Sequence, residues 1–145
     1  MSRPAALIRP GPELLSAYEA ALAAGWSPSN VRDLSAEQLA AIRADSGRFL
    51  HDLIDPEGTV LLADGRIVPR LPFHLFWISN GEFCGAINFR FLRGTEDLPP
   101  HVEGHVGYSV VPWKRRRGYA TAALALLAMA LSIVNGMLVP EIMHG

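Results

Sequence analysis

The sequence predicts an α+β domain, and three features carry that prediction. Two N-terminal stretches repeat apolar residues at helical spacing, a central stretch reads as two strands joined by Asn80-Gly81, and a later run stops at Pro112 before a glycine and a long uncharged segment. Helices first and strands afterwards, in one chain of 145 residues, fit a mixed α/β or α+β layer arrangement around a single core.

Gly11-Pro12-Glu13 opens the first helix, with proline at the first helical position and an acid in the first turn. Leu14, Tyr18, Ala21 and Leu22 supply its apolar face, and Gly25 ends it. Ser35 and Gln38 have the spacing of a capping box, with Leu34 and Leu39 at the staple positions. From there Leu39, Ile42, Phe49, Leu50 and Leu53 predict one continuous second helix, stopped by Asp55-Pro56. Asp64-Gly65 predicts a small hairpin within residues 59–69.

A stronger hairpin signal follows. Residues 73–79 and 82–91 read as strands joined by Asn80-Gly81, the pair preferred in a type I′ turn. Strict alternation would put Phe83, Gly85, Ile87, Phe89 and Phe91 on one face, and Cys84, Ala86, Asn88 and Arg90 on the other. A polar loop over 93–100 leads to a third strand over 101–111, which Pro112 ends, and a helix starts near Gly118.

Composition excludes several classes. Half of the residues are hydrophobic and 19% are charged, which argues against disorder. The net charge of −1 lacks the basic excess of a nucleic-acid binder. Cys84, the single cysteine, rules out an intrachain disulfide and suits a reducing compartment. Met1-Ser2-Arg3-Pro4 leads into no apolar signal segment, so a cytoplasmic location is expected. Residues 120–139 carry no charge and approach the length of a membrane span, behind the cations 114–117. Their alanine-rich content and the Asn135-Gly136 stop signal argue against a membrane anchor.

The junction Val111-Pro112-Trp113-Lys114-Arg115-Arg116-Arg117-Gly118-Tyr119-Ala120 joins a strand to a helix. Exposed N–H groups at a helix start attract an anion, and Gly118 with Ala120 lets it approach the backbone closely. The Walker pattern and the three-glycine dinucleotide fingerprint are both absent, which leaves a diphosphate cradle of another kind. A solvated charge cluster around a loop glycine is the alternative.

The stretch Arg115-Arg116-Arg117-Gly118-Tyr119-Ala120 resembles the R/Q-x-x-G-x-G/A signature of the GNAT acyltransferase superfamily. The segment from Gly104-His105-Val106-Gly107-Tyr108 to Pro112 is similar to the strand before that signature in small bacterial members. The resemblance covers about residues 10–131 and implies an antiparallel sheet flanked by helices and an N-acetyltransferase using acetyl-CoA on a small-molecule or peptide amine. It implies that Val110 and Val111 offer backbone groups to the pantetheine and acetyl carbonyl. Arg116, Arg117, Gly118, Tyr119, Ala120 and Thr121 would surround the pyrophosphate.

Amine attack on a thioester needs a proton acceptor and stabilisation of the oxyanion. His101, Glu103 and His105 share one strand face by period two, which makes Glu103 and His105 candidate bases, Glu103 ahead of His105 because bases of the resembled family often lie early on this strand. The same triplet could be read as a metal set, but it lacks zinc-type helical spacing and a supporting ligand, so no metal is expected. Asn88 and Arg90 are candidates for an acceptor cleft, and a polar sheet face explains them equally well. Trp26, Trp77 and Trp113 read as packing residues, and Cys84 has no activating neighbour in sequence.

The resembled family continues past this helix with more strands and often a tyrosine acid. Here no tyrosine follows Tyr119, and the domain is expected to be incomplete after about residue 134. The uncharged helix over 121–134 predicts a homo-oligomer, and a catalytically weak coenzyme-binding or oligomerisation module is the alternative function.

Overall fold

The computed structural model of the chain describes residues 4–55, 59–61, 64–69, 73–90 and 106–134. In chain order the elements are β1 (Ala6–Ile8), α1 (Leu15–Ala23), α2 (Ser35–Ala44), α3 (Ser46–Ile54), β2 (Thr59–Leu61), β3 (Ile67–Pro69), β4 (Phe73–Ser79), β5 (Phe83–Arg90), β6 (Val106–Val110) and α4 (Tyr119–Val134). β1, β4, β5 and β6 form one sheet in that order, antiparallel throughout, and β2 pairs with β3 as a separate hairpin. The domain is therefore α+β, as its sequence predicts.

Local chemistry explains most boundaries. Pro12 starts a short 3-10 turn that runs into α1, and Gly25 at φ 96° takes the left-handed position after its end. The single second helix expected from the apolar spacing is two. Asp45, extended at φ −164°, ends α2 and caps α3, its Oδ1 accepting the Arg48 N–H at 3.0 Å. The capping box does not form either. The Ser35 N–H and hydroxyl both donate to Asp33 Oδ1, and Gln38 instead accepts the buried Tyr18 hydroxyl. β1 has no counterpart in the sequence reading, since three residues on an edge are too few for a periodic signal.

The central hairpin departs from the type I′ expectation. Ser79 pairs with Phe83 across the three-residue turn Asn80-Gly81-Glu82, and of these only Gly81 has positive φ. The next pair is Ile78 with Gly85, so Cys84 is an extra residue, a bulge. One inserted residue reverses the alternation. Phe83 joins Ala86 and Trp77 on one face, whereas Cys84 joins Ile87 and Phe89 on the other. The faces expected from strict alternation hold from Gly85 onward and invert before it.

Two cores result, one on each side of the sheet. α1, α2 and α3 cover the first with Tyr18, Ala21, Leu22, Ile42 and Phe49 against Trp26, Trp77, Phe83 and Ala86. Tyr18 stacks on Trp77 at 4.8 Å, and Trp26 meets Phe83 edge-on at 5.2 Å. Such pairs contribute about 0.5–1.5 kcal/mol each beyond burial. α4 covers the second face, with Tyr119, Ala123 and Leu127 against Ile78, Cys84, Ile87 and Val110. Trp113, expected in packing, is half exposed. Among the described residues no helix is long and apolar enough to cross a membrane.

Candidate functional site

The site lies along the outer edge of β6. The Val111 N–H donates to the Cys84 carbonyl at 2.9 Å, so residue 111 faces β5. By antiparallel alternation Gly107 and Ser109 face β5 as well, and Tyr108 and Val110 turn their backbone groups outward. Side chains close both outward carbonyls. Asn30 Nδ2 donates to the Tyr108 oxygen at 2.8 Å, and Arg115 Nε donates to the Val110 oxygen at 3.0 Å. The outward N–H groups of Tyr108 and Val110 have no acceptor among the described residues. Asn30 is held there by the α1–α2 loop, which is tied to the strand through Trp26, Ser109 and Ser27.

Past β6 the chain makes a 3-10 turn over Pro112–Lys114, then bends through Arg116 at φ 63° and Gly118 at φ 84° into α4. Gly118 is required by its backbone angle, and a side chain there would meet open space. The first bond of α4 runs from the Ala122 N–H to the Gly118 carbonyl at 3.0 Å. The N–H groups of Tyr119, Ala120 and Thr121 have no acceptor among the described residues, as a helix start dictates. They are the positive end of a 16-residue helix.

A cleft of about 460 Å³ opens between these elements. Tyr108, Ser109 and Val110 form its strand wall, and Gly118, Tyr119, Ala120 and Thr121 its helix wall. Lys114, Arg115 and Arg116 line the cationic side, and Asn30 closes the rim. Lys114 is buried, with its ammonium 2.9 Å from Glu82 Oε1. The hydrogen bond from Lys114 holds the exposed Glu82 carboxyl below its usual range, and the same bond raises the Lys114 ammonium. Paired charges cancel, so Arg115 and Arg116 supply the positive potential of the cleft.

Of the residues expected to hold a cofactor, Val110, Arg116, Gly118, Tyr119, Ala120 and Thr121 come together in this cleft. Arg117 is exposed beside it and Val111 lies behind it. The Val111 side chain is wholly buried, its N–H is on Cys84 and its carbonyl accepts the Lys114 N–H at 3.0 Å. Asn88 sits opposite Leu75 and Gly107 and does not line the cleft, and Arg90 ends β5 opposite Phe73. The Asn88 Oδ1 is buried and has no partner among the described residues. Glu103 and His105, the candidate bases, lie outside the described residues, as does His101. Among the described residues no group of His, Cys, Asp or Glu could hold a metal ion. Burial pushes the Cys84 thiol up, away from nucleophilic character.

Sequence reasoning missed Asn30, Ser109 and the turn residues Asn80 and Glu82. Asn30 reaches Tyr108 across 78 positions and Ser109 reaches Ser27 across 82, so no local pattern could join them. No family model, curated protein or solved structure matches the chain.

Proposed function

We propose that this domain is a GNAT-type N-acetyltransferase that binds acetyl-CoA along β6 and the start of α4. One observation carries the reading: three unbonded N–H groups at the α4 N-terminus share a cleft with two arginines and an outward-facing strand edge. A diphosphate matches the helix end, where N–H groups and dipole both favour negative charge. An extended arm bearing amide carbonyls matches the strand edge, because Tyr108 and Val110 offer donors there while their own carbonyls are already satisfied. The strand–turn–helix order also fits the signature carried by Arg115 to Ala120.

In the reaction, the substrate ammonium first gives one proton to a base, the freed amine nitrogen attacks the thioester carbonyl carbon, the carbon–sulfur bond breaks, and the departing thiolate takes a second proton from the nitrogen. Glu103 or His105 takes up the first proton in this reading, and Asn88, whose Oδ1 has no partner among the described residues, serves the acceptor side with Arg90. The alternative, a weakly catalytic coenzyme-binding module that self-associates, is favoured by one feature: Met129 on the uncharged α4 is 63% exposed.

Calorimetry with acetyl-CoA tests the proposal, using an Arg115→Glu, Arg116→Glu double variant as the control. Saturable binding by the parent and its loss in the variant support the reading. A folded, monodisperse parent that does not bind would end it. Turnover with a panel of amines then separates the transferase from the binding module.

A further inference from the structure

Both ends of the cationic loop are fastened to one three-residue turn. Residues 115–118 contain no helix or strand, and two of them, Arg116 and Gly118, stand at positive φ. At the front of the loop, the buried Lys114 places its Nζ 2.9 Å from Glu82 Oε1. At its end, the buried Tyr119 accepts a hydrogen bond at its hydroxyl from Asn80 Nδ2, at 2.7 Å. Asn80 and Glu82 belong to the β4–β5 turn, which is itself fixed: the Gly81 N–H donates to Ser79 Oγ at 3.1 Å and the Glu82 N–H to Asn80 Oδ1 at 3.0 Å. The Asn80 amide is thus divided, its oxygen holding the turn and its nitrogen holding the helix start.

We infer that the Asn80–Glu82 turn is a positioning clamp for the diphosphate loop, with Asn80 and Glu82 setting the geometry of N–H groups they do not touch. The inference rests on the diphosphate reading of this cleft. Backbone donors bind an anion well only when they converge within narrow limits of distance and angle, and a loop with two left-handed residues does not impose that convergence itself. Fastening residues 114 and 119 to a rigid hairpin does. Glu82 has a second effect: it turns the Lys114 ammonium away from the anion, so the ligand meets arginines with directional donors rather than a mobile point charge. None of the arm-binding groups on the β6 edge depends on the clamp, since Asn30 and Arg115 secure that edge separately.

The test compares two ligands on the full chain: acetyl-CoA, and S-acetyl-pantetheine, which lacks the diphosphate and nucleotide. Calorimetry measures the first and ligand-observed NMR the second. Tyr119→Phe and Glu82→Gln are each expected to weaken acetyl-CoA roughly three- to tenfold, the scale of one hydrogen bond, while the fragment binds as it does to the parent. Combining Asn80→Ala with Tyr119→Phe should weaken acetyl-CoA no further than Asn80→Ala alone, because both remove the same contact. Tyr119→Phe deletes one oxygen from a ring that stays packed against the α4-side core, so it carries the test if a turn variant does not fold. Unchanged acetyl-CoA affinity in the variants overturns the clamp and leaves the functional reading standing. Equal loss of both ligands also overturns it, since that is general loosening. A parent that binds neither ligand removes the functional reading and the clamp with it.

Discussion

The Trp26 indole N–H donates to the Ser109 hydroxyl at 3.0 Å, and that hydroxyl donates onward to the Ser27 carbonyl, also at 3.0 Å. One buried serine thereby joins the loop after α1 to the strand that walls the cleft. The bonds span more than eighty positions of sequence, so they report the tertiary fold rather than any local preference.

Ser109→Ala should therefore cost more than its size suggests. It leaves the Trp26 N–H and the Ser27 carbonyl without partners in a protein interior, at about 1–3 kcal/mol. Urea denaturation should show that loss with an unchanged m-value. Stability within a few tenths of the parent would mean that water replaces both bonds.

Gly85→Ala tests the closeness of β5 and β6. A Cβ at this position would lie 2.9 Å from the Val110 Cα and closer still to the Ser109 carbonyl oxygen. Both are backbone, so β6 has to move away from β5 rather than a side chain turning aside. The expected loss is about 2–4 kcal/mol, comparable with overpacking a core, accompanied by weaker acetyl-CoA binding as the strand wall shifts. A variant as stable as the parent, by the same denaturation, contradicts the pairing.

These two positions show what the sequence could and could not reveal. The α+β class, the Asp64-Gly65 hairpin, the end of β6 at Pro112 and the helix after Gly118 follow from glycine, proline and periodicity, all local signals. The break at Asp45 was hidden because the apolar spacing continues across it, although Asp45-Ser46-Gly47 is itself a helix-start pattern. The inverted faces of Phe83 and Cys84 were hidden because a bulge changes parity without changing composition. In the site, residues adjacent in sequence, Gly118 to Thr121, were legible as a helix start beside a cationic loop. Asn30, which lines the cleft, and Asn80 and Glu82, which bond Tyr119 and Lys114 at its edge, were not, because the fold alone brings them there.

The Glu82–Lys114 pair predicts a stability profile with two edges. Glu82 has its carboxyl lowered, so its contribution is full above the unfolded value and disappears as pH falls through the folded one. Lys114 has its ammonium raised, so its contribution is full below the unfolded value and disappears as pH rises through the folded one. The melting-temperature difference between the parent and Glu82→Gln should be flat from about pH 6 to 9. It should shrink below about pH 4 and above about pH 10.5. A difference that persists unchanged to about pH 3 would show that the carboxylate charge is not what holds Lys114.

Arg116 sets stability against binding. Its φ of 63° is a conformation that a side chain penalises by about 1–2 kcal/mol, and glycine avoids this at an entropic cost of about 0.5–1 kcal/mol. Arg116→Gly should therefore raise stability by about 0.5–1 kcal/mol on balance. The same change removes a guanidinium that lines the cleft, so acetyl-CoA affinity should fall by about tenfold, the scale of one charge-assisted contact. Arg116→Lys keeps the backbone strain and the charge, and should leave stability unchanged with most of the affinity retained. Denaturation and calorimetry on the two variants separate the effects. A destabilised Arg116→Gly would deny the strain, and an undiminished affinity would take Arg116 away from the ligand.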